Sequence, residues 1–128
     1  ERRWKNGMNE PLFNGKRQIP NEEVIENMQY FLNRANELMD LYKKDKKSTL
    51  ALARELRNEL KTEYVNNKLR RIQEKYDNHE LFHSYYVPAV TDAYVSISGQ
   101  LTYENVHRFL HDVESYMKYH IPRKYKTN

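Results

Sequence analysis

The chain has 128 residues, a formal net charge of +4 and no cysteine, and its length fits a single domain. The lack of cysteine excludes a disulfide framework, a thiol nucleophile and a thiolate zinc finger. With three glycines in all, a glycine-rich phosphate loop is excluded as well. No run approaches the ~18 apolar residues of a membrane-spanning helix. We therefore expect a cytoplasmic protein, or a fragment of a larger or membrane-anchored one.

The two ends of the chain are more basic than its centre. Residues 1–20 hold five basic and two acidic side chains, and residues 118–128 hold four basic and none acidic. Glycines and prolines interrupt any helical periodicity in the first segment. The sequence therefore predicts three parts, listed here in chain order: an irregular basic N-terminal arm (1–20), a helical domain (21–121) and a basic C-terminal tail (122–128).

Two amphipathic helices are predicted in the first half of the helical domain. Asn21 is a suitable N-cap for a helix over 22–43, whose apolar residues recur at steps of three and four. A lysine-rich turn follows. Ser48 or Thr49 is then expected to cap a longer helix over 49–76.

The second helix has an apolar stripe that changes face along its length. Three leucines begin the stripe, and other apolar residues continue it on a shifted face: Leu52, Leu56, Leu60, Val65, Leu69, Ile72 and Tyr76. Its charged residues, which include Glu59 and Glu63, are predicted to face solvent.

Two more helices complete the predicted domain. The third spans about 79–98 and ends at Gly99, which we expect in a left-handed conformation. Pro88 lies inside this helix, removes a backbone donor and predicts a kink or a break. Thr102 is expected to cap a fourth helix over 103–120. Four amphipathic helices with short connections predict an all-α, antiparallel four-helix bundle.

One motif has the spacing of a metal site. His79, Glu80 and His83 match H-E-x-x-H, in which two imidazoles on one helix face bind zinc and the glutamate acts as a base. The motif follows a predicted turn, and the extended form of the motif would need Gly and His where Tyr86 and Ala89 stand. We therefore predict no metal or other cofactor. A metal-dependent hydrolase is the least favoured alternative.

The apolar stripes fill the predicted helices and leave no convergent reactive group. We therefore expect a non-enzymatic binding or regulatory module that contacts another protein, and a homo-oligomer stays open. The chain has eleven tyrosines, and aromatic side chains are enriched at protein interfaces. The predicted contact residues lie in the third and fourth helices: Tyr85, Tyr86, Tyr94, Tyr116 and Tyr119.

The alternative is a protein that binds nucleic acid or an anionic membrane surface through its basic ends. The predicted anion-binding residues are Arg2, Arg3, Lys5, Lys16, Arg17, Arg123, Lys124 and Lys126.

Overall fold

Helices account for nearly all of the computed structural model, which describes residues 19–71 and 80–125. The predicted all-α class is confirmed, and these residues contain no strand. The elements in chain order are α1 (Asn21–Tyr42), α2 (Lys46–Arg71), a π-helical segment (Leu81–Tyr86), α3 (Val87–Ser98), α4 (Tyr103–Glu114), a second π-helical segment (Ser115–His120) and a 3₁₀ turn (Arg123–Tyr125). Most of the predicted N-terminal arm and residues 72–76 of the predicted second helix lie outside the described residues.

The start of α2 differs from the prediction. Asp45 precedes the helix, and its carboxylate accepts a hydrogen bond from the Lys47 N–H at 3.1 Å and another from the Ser48 hydroxyl at 2.7 Å. Asp45 therefore caps the helix, and the prediction of Ser48 or Thr49 as the cap was wrong. A carboxylate also interacts favourably with the positive end of the helix dipole.

Pro88 lies at the start of α3, directly after a π-helical segment. The backbone N–H of Val87 donates to the carbonyl of Phe82, five residues earlier. Proline has no N–H to donate and its ring crowds the carbonyl four residues before it, which disfavours regular α-helical bonding at this point. The change of helix type coincides with the predicted kink, and the kink itself stays a prediction.

The connection from α3 to α4 is held by a side chain of α2. Gly99 has φ −83° and ψ −154°, so the prediction of a left-handed stop was wrong. Arg57 instead donates to the carbonyls of Ile97 at 2.7 Å and Gly99 at 3.2 Å, which satisfies acceptors at the end of α3. Thr102 accepts a hydrogen bond from the Asn105 N–H at 3.1 Å and caps α4, as predicted.

Each helix packs against the next one in the chain, and α4 also packs against α1. The first two helices run antiparallel, because Tyr30 reaches Glu59 whereas Arg34, one turn further along α1, reaches Glu55, one turn earlier in α2. These contacts agree with the predicted bundle. No helix in the described parts of the chain is both long enough and apolar enough to span a membrane.

The buried stripe of α2 follows a different course from the predicted one. Leu56 and Leu60 are fully buried, and the next buried position on the same face is Glu63. Val65, which was predicted to continue the apolar stripe, is 47% exposed. The core therefore becomes polar towards the end of α2.

We expect Leu60→Ala to lower the free energy of unfolding by about 2–5 kcal/mol, because it leaves a cavity in the apolar core. The exposed Val65→Ala should change it by less than about 0.5 kcal/mol. Urea denaturation of both variants measures the difference. Equal losses in the two variants would show that α2 is rotated from the orientation described.

Candidate functional site

A buried polar cluster lies inside the bundle towards the end of α2. The Glu63 side chain is 0% exposed, and its Oε2 accepts a 2.6 Å hydrogen bond from Nη1 of Arg70, which is 2% exposed. The same Nη1 donates to Oδ1 of Asn67 at 2.8 Å. Spacings of three, four and seven residues place the three side chains on one face of α2.

Two other helical elements contribute to this cluster. The hydroxyl of Tyr86, which is completely buried, donates to the same Oε2 of Glu63 at 2.7 Å. The side-chain amide of Asn27, in α1, donates to the Tyr86 hydroxyl at 3.2 Å. We define the buried polar cluster as Asn27, Glu63, Asn66, Asn67, Arg70 and Tyr86.

Burial and neighbouring charges both shift the pKa values of Tyr86 and Arg70. Burial raises the pKa of Tyr86 well above its ordinary value, and the nearby Glu63 carboxylate raises it further. Burial is the largest single effect on Arg70 and disfavours its charged form, but the combined effects of Glu63, Tyr86 and Glu23 outweigh it, so the pKa of Arg70 is raised as well. At neutral pH the cluster therefore holds a neutral phenol and a charged guanidinium around one carboxylate oxygen.

Several polar atoms of the cluster lack a hydrogen-bond partner in the part of the chain that the structure describes. They are Oε1 of Glu63, both side-chain polar atoms of Asn66, Nδ2 of Asn67 and Nε of Arg70. Within the described residues, the hydrogen bonds of the cluster link three helical elements: α1, α2 and the segment Leu81–Tyr86.

The sequence analysis missed this cluster. Glu59 and Glu63 were predicted to face solvent, yet both are buried, because each finds a hydrogen-bond donor inside the bundle. A signal was present in the sequence. Steps of three and four residues from Leu60 lead to Glu63, Asn67 and Arg70, all of them polar residues on the core-facing side of α2.

The structure describes two of the three H-E-x-x-H residues. His79 lies outside the described residues. Glu80 is exposed, and its carboxylate accepts from the Tyr125 hydroxyl at 3.0 Å and lies 3.6 Å from Nζ of Lys124. His83 is half-buried. No group of three His, Asp or Glu side chains in the described residues is arranged to hold a metal ion.

The tyrosines predicted to contact a partner differ in their exposure. Tyr119 is 74% exposed, whereas Tyr85, Tyr94 and Tyr116 are half-buried. Tyr86 is 0% exposed, so its assignment to a partner surface was wrong. The reason is that its hydroxyl has a hydrogen-bonding partner inside the bundle, which the sequence pattern did not show.

Two of the predicted anion-binding residues lie in the part of the chain that the structure describes. Arg123 and Lys124 are exposed on the 3₁₀ turn. The others lie outside the described residues: Arg2, Arg3, Lys5, Lys16, Arg17 and Lys126.

The outer surface of α4 carries a row of aromatic and imidazole rings. The Tyr103 ring, 51% exposed, stacks on the His107 ring at 5.8 Å between centroids and lies 6.1 Å from the ring of Tyr42 in α1. His111 follows one turn later and is exposed. An open depression of about 520 Å³ lies along this surface, lined by Tyr103, Glu104, His107, Arg108 and His111. We call these five residues the α4 face.

A partly buried carboxylate lies between α3 and α4. The Ser96 hydroxyl donates to Oδ2 of Asp112 at 2.9 Å. Burial raises the pKa of Asp112, and the negative charge of Asp92 raises it further, against the opposing effect of the Ser96 hydrogen bond. The folded protein therefore favours the neutral form of Asp112 more than the unfolded chain does.

Comparison of the sequence and structure with family models, curated proteins and solved structures gave no match. The described residues form an all-α helical bundle with two candidate sites, the buried polar cluster and the α4 face.

We expect Glu63→Gln and Arg70→Met each to lower the free energy of unfolding by about 3–5 kcal/mol, because each leaves a buried charge without its partner. The double variant should be more stable than the sum of the two losses implies, since it removes both charges. Chemical denaturation of the four proteins gives the coupling. Lys118→Gln, which breaks the exposed pair with Glu114, is the control and should have no measurable effect. Additive losses would contradict a direct Glu63–Arg70 interaction.

We expect Asp112→Asn to stabilise the protein at pH 7, because it removes a charge that folding disfavours while Ser96 keeps an acceptor. The advantage should shrink as the pH falls through the raised pKa of Asp112 towards the unfolded value, since wild-type Asp112 is then protonated too. Asp45→Asn should show the opposite sign, because the Ser48 hydrogen bonds lower the pKa of Asp45. Urea denaturation between pH 7 and pH 4 measures both. A stability gain for Asp112→Asn that does not vary with pH would contradict this explanation.

Proposed function

We propose that this chain is a non-enzymatic binding module whose protein partner docks on the α4 face. The observation that supports the proposal best is the stacking of the exposed Tyr103 ring on His107, together with its tilted contact to the ring of Tyr42. These contacts hold the tyrosine before a partner arrives. A rigid aromatic side chain loses little conformational freedom on binding and is a frequent source of binding energy.

Only one side of α4 is buried in the core, so its exposed side is available to a partner. Val106, Phe109 and Val113 are buried in the core. At about 100° per residue, this places His107 away from the core and Tyr103, one turn before Val106, at the exposed edge of the buried stripe. The core therefore fixes the direction in which the α4 face points. A partner would meet a surface that needs little rearrangement.

The charges of the α4 face favour a protein over a polyanion. Glu104 and Arg108 line the same depression and have opposite charges. A phosphate backbone would be repelled by Glu104, whereas a protein surface can offer both a donor and an acceptor. Mixed polar groups around an aromatic centre are typical of transient protein interfaces.

A photo-crosslinking amino acid placed at Tyr103 in the source cells tests the proposal. We expect a protein adduct that is absent when the same amino acid replaces Asn33, an exposed residue on α1. With the identified protein purified, Tyr103→Ala and His107→Ala should each weaken binding by about 10-fold or more in calorimetry. Asn33→Ala serves as the matched control and should bind like wild type.

Two outcomes would overturn the proposal. One is the absence of a protein adduct specific to Tyr103. The other is a captured protein whose affinity is the same for wild type and Tyr103→Ala. A melting temperature close to that of wild type in each variant shows that a change in affinity is not a consequence of unfolding.

A further inference from the structure

Apart from Arg70, which pairs with Glu63 in the core, the charged residues of α2 are separated by sign. Its acidic residues point towards α1 and the core, where Glu55 lies 3.0 Å from Arg34 and Glu59 accepts from the Tyr30 hydroxyl at 2.8 Å. Glu63 belongs to the buried polar cluster. The acidic side chains of this helix are therefore already engaged inside the bundle or against α1.

The basic residues of α2 lie on the opposite side of the helix. Their spacing places them within an arc of about 100° along a length of about 25 Å. We call this set the cationic face of α2: Arg54, Arg57, Lys61, Lys68 and Arg71. All except the half-buried Arg57 are exposed. The ion pairs that the structure shows among residues 19–71 and 80–125 include none of the five.

Neutral groups hold two of these cations in place. Arg57 donates to backbone carbonyls at the end of α3. The Nζ atom of Lys68 lies 4.6 Å from the centre of the Tyr64 ring, and this ring contacts Tyr94 of α3 at 5.5 Å. Neither arrangement neutralises a positive charge. The neighbouring helix adds no negative charge here, because its acidic residue, Asp92, is directed to Tyr116 on the α4 side.

The shape of this surface favours a nucleic acid over other anions. It is a line of like charges about 25 Å long, and a nucleic-acid strand offers one negative charge for about every 3.4 Å of its axis. An anionic bilayer would also need a patch of apolar side chains to insert. The exposed large apolar residues of α2, Leu50 and Val65, are about 22 Å apart along the helix axis and form no such patch. The basic isoelectric point of about 9.2 fits the same class of partner.

We propose that the cationic face of α2 binds the phosphate backbone of nucleic acid without reading its sequence. The contacts are ion pairs from Lys and Arg to phosphate oxygens, which carry no sequence information. This surface is distinct from the α4 face, so the proposal does not depend on the protein partner.

Fluorescence anisotropy with a mixed-sequence 30-base-pair DNA duplex tests the proposal on the full chain. The four exposed cations should contribute about −3.6 to the slope of log K against log salt, which corresponds to about a 150-fold loss of affinity between 50 and 200 mM salt. The triple variant Arg54→Gln, Lys61→Gln and Arg71→Gln should reduce the size of this slope by about 2.7. At 100 mM salt its affinity should fall by at least about 10-fold.

A second triple variant controls for net charge. Lys43→Gln, Lys44→Gln and Lys118→Gln remove the same charge from exposed positions outside the cationic face, and this protein should keep the wild-type slope. The basic chain ends are present in every variant and contribute equally. Circular dichroism confirms that both triple variants are folded.

Three results would overturn the proposal. The first is no binding to the duplex at 50 mM salt. The second is an equal loss in the two triple variants, which would assign the binding to net charge alone. The third is binding only to vesicles with 30% phosphatidylserine or only to polyglutamate, which would assign the face to a membrane or to an acidic protein. Loss of duplex binding in Tyr103→Ala would also count against a separate surface.

Discussion

The ion pair between Glu63 and Arg70 is the constraint on which the rest of the structure depends. Taking two charges out of water is costly, and their attraction offsets that cost only when the geometry is good and other donors complete the hydrogen bonding. Here Oε2 of Glu63 accepts from both Arg70 and Tyr86, and Asn27 supports Tyr86. The charge is therefore tolerated only when α1, α2 and the segment before α3 are packed together.

This requirement determines the orientation of α2 and so the character of the protein surface. With Glu63 and Arg70 turned into the bundle, Glu59 lies towards α1 and the cationic face of α2 lies towards solvent. The two surfaces described then differ in their chemistry. The α4 face has aromatic rings and charges of both signs, whereas the cationic face of α2 has one sign only. Under the two proposals together, the module binds a protein on one surface and a polyanion on the other.

The sequence was informative where the structure depends on local patterning. The apolar periodicity of α1 and α4 predicted both helices, and Thr102 was recognised as a cap because that role is set by neighbouring residues. The prediction of Asn21 as the cap of α1 was wrong, because Pro20 occupies that position and no side chain among the described residues caps the helix. The orientation of α2 could not be predicted in the same way. Val65 is more apolar than Glu63, and the partners that allow Glu63 to be buried are distant in sequence, with Tyr86 23 residues away. For the same reason Tyr86 was assigned to the surface. The α4 face was missed because Tyr103 is held partly by Tyr42 of α1, which is distant in the sequence.

The π-helical segment Leu81–Tyr86 has a consequence for how the chain can vary in length. A π turn holds about one residue more than an α turn, so such segments correspond to single-residue insertions in an α-helix. Removing one residue here would replace the π turn by α-type spacing, still without the hydrogen bond that Pro88 cannot donate, and would not rotate the buried face of α3, which includes Ala89, Ala93 and Ile97. Homologues one residue shorter at this point would then keep the same core, and the difference in length would be confined to the turn before Pro88.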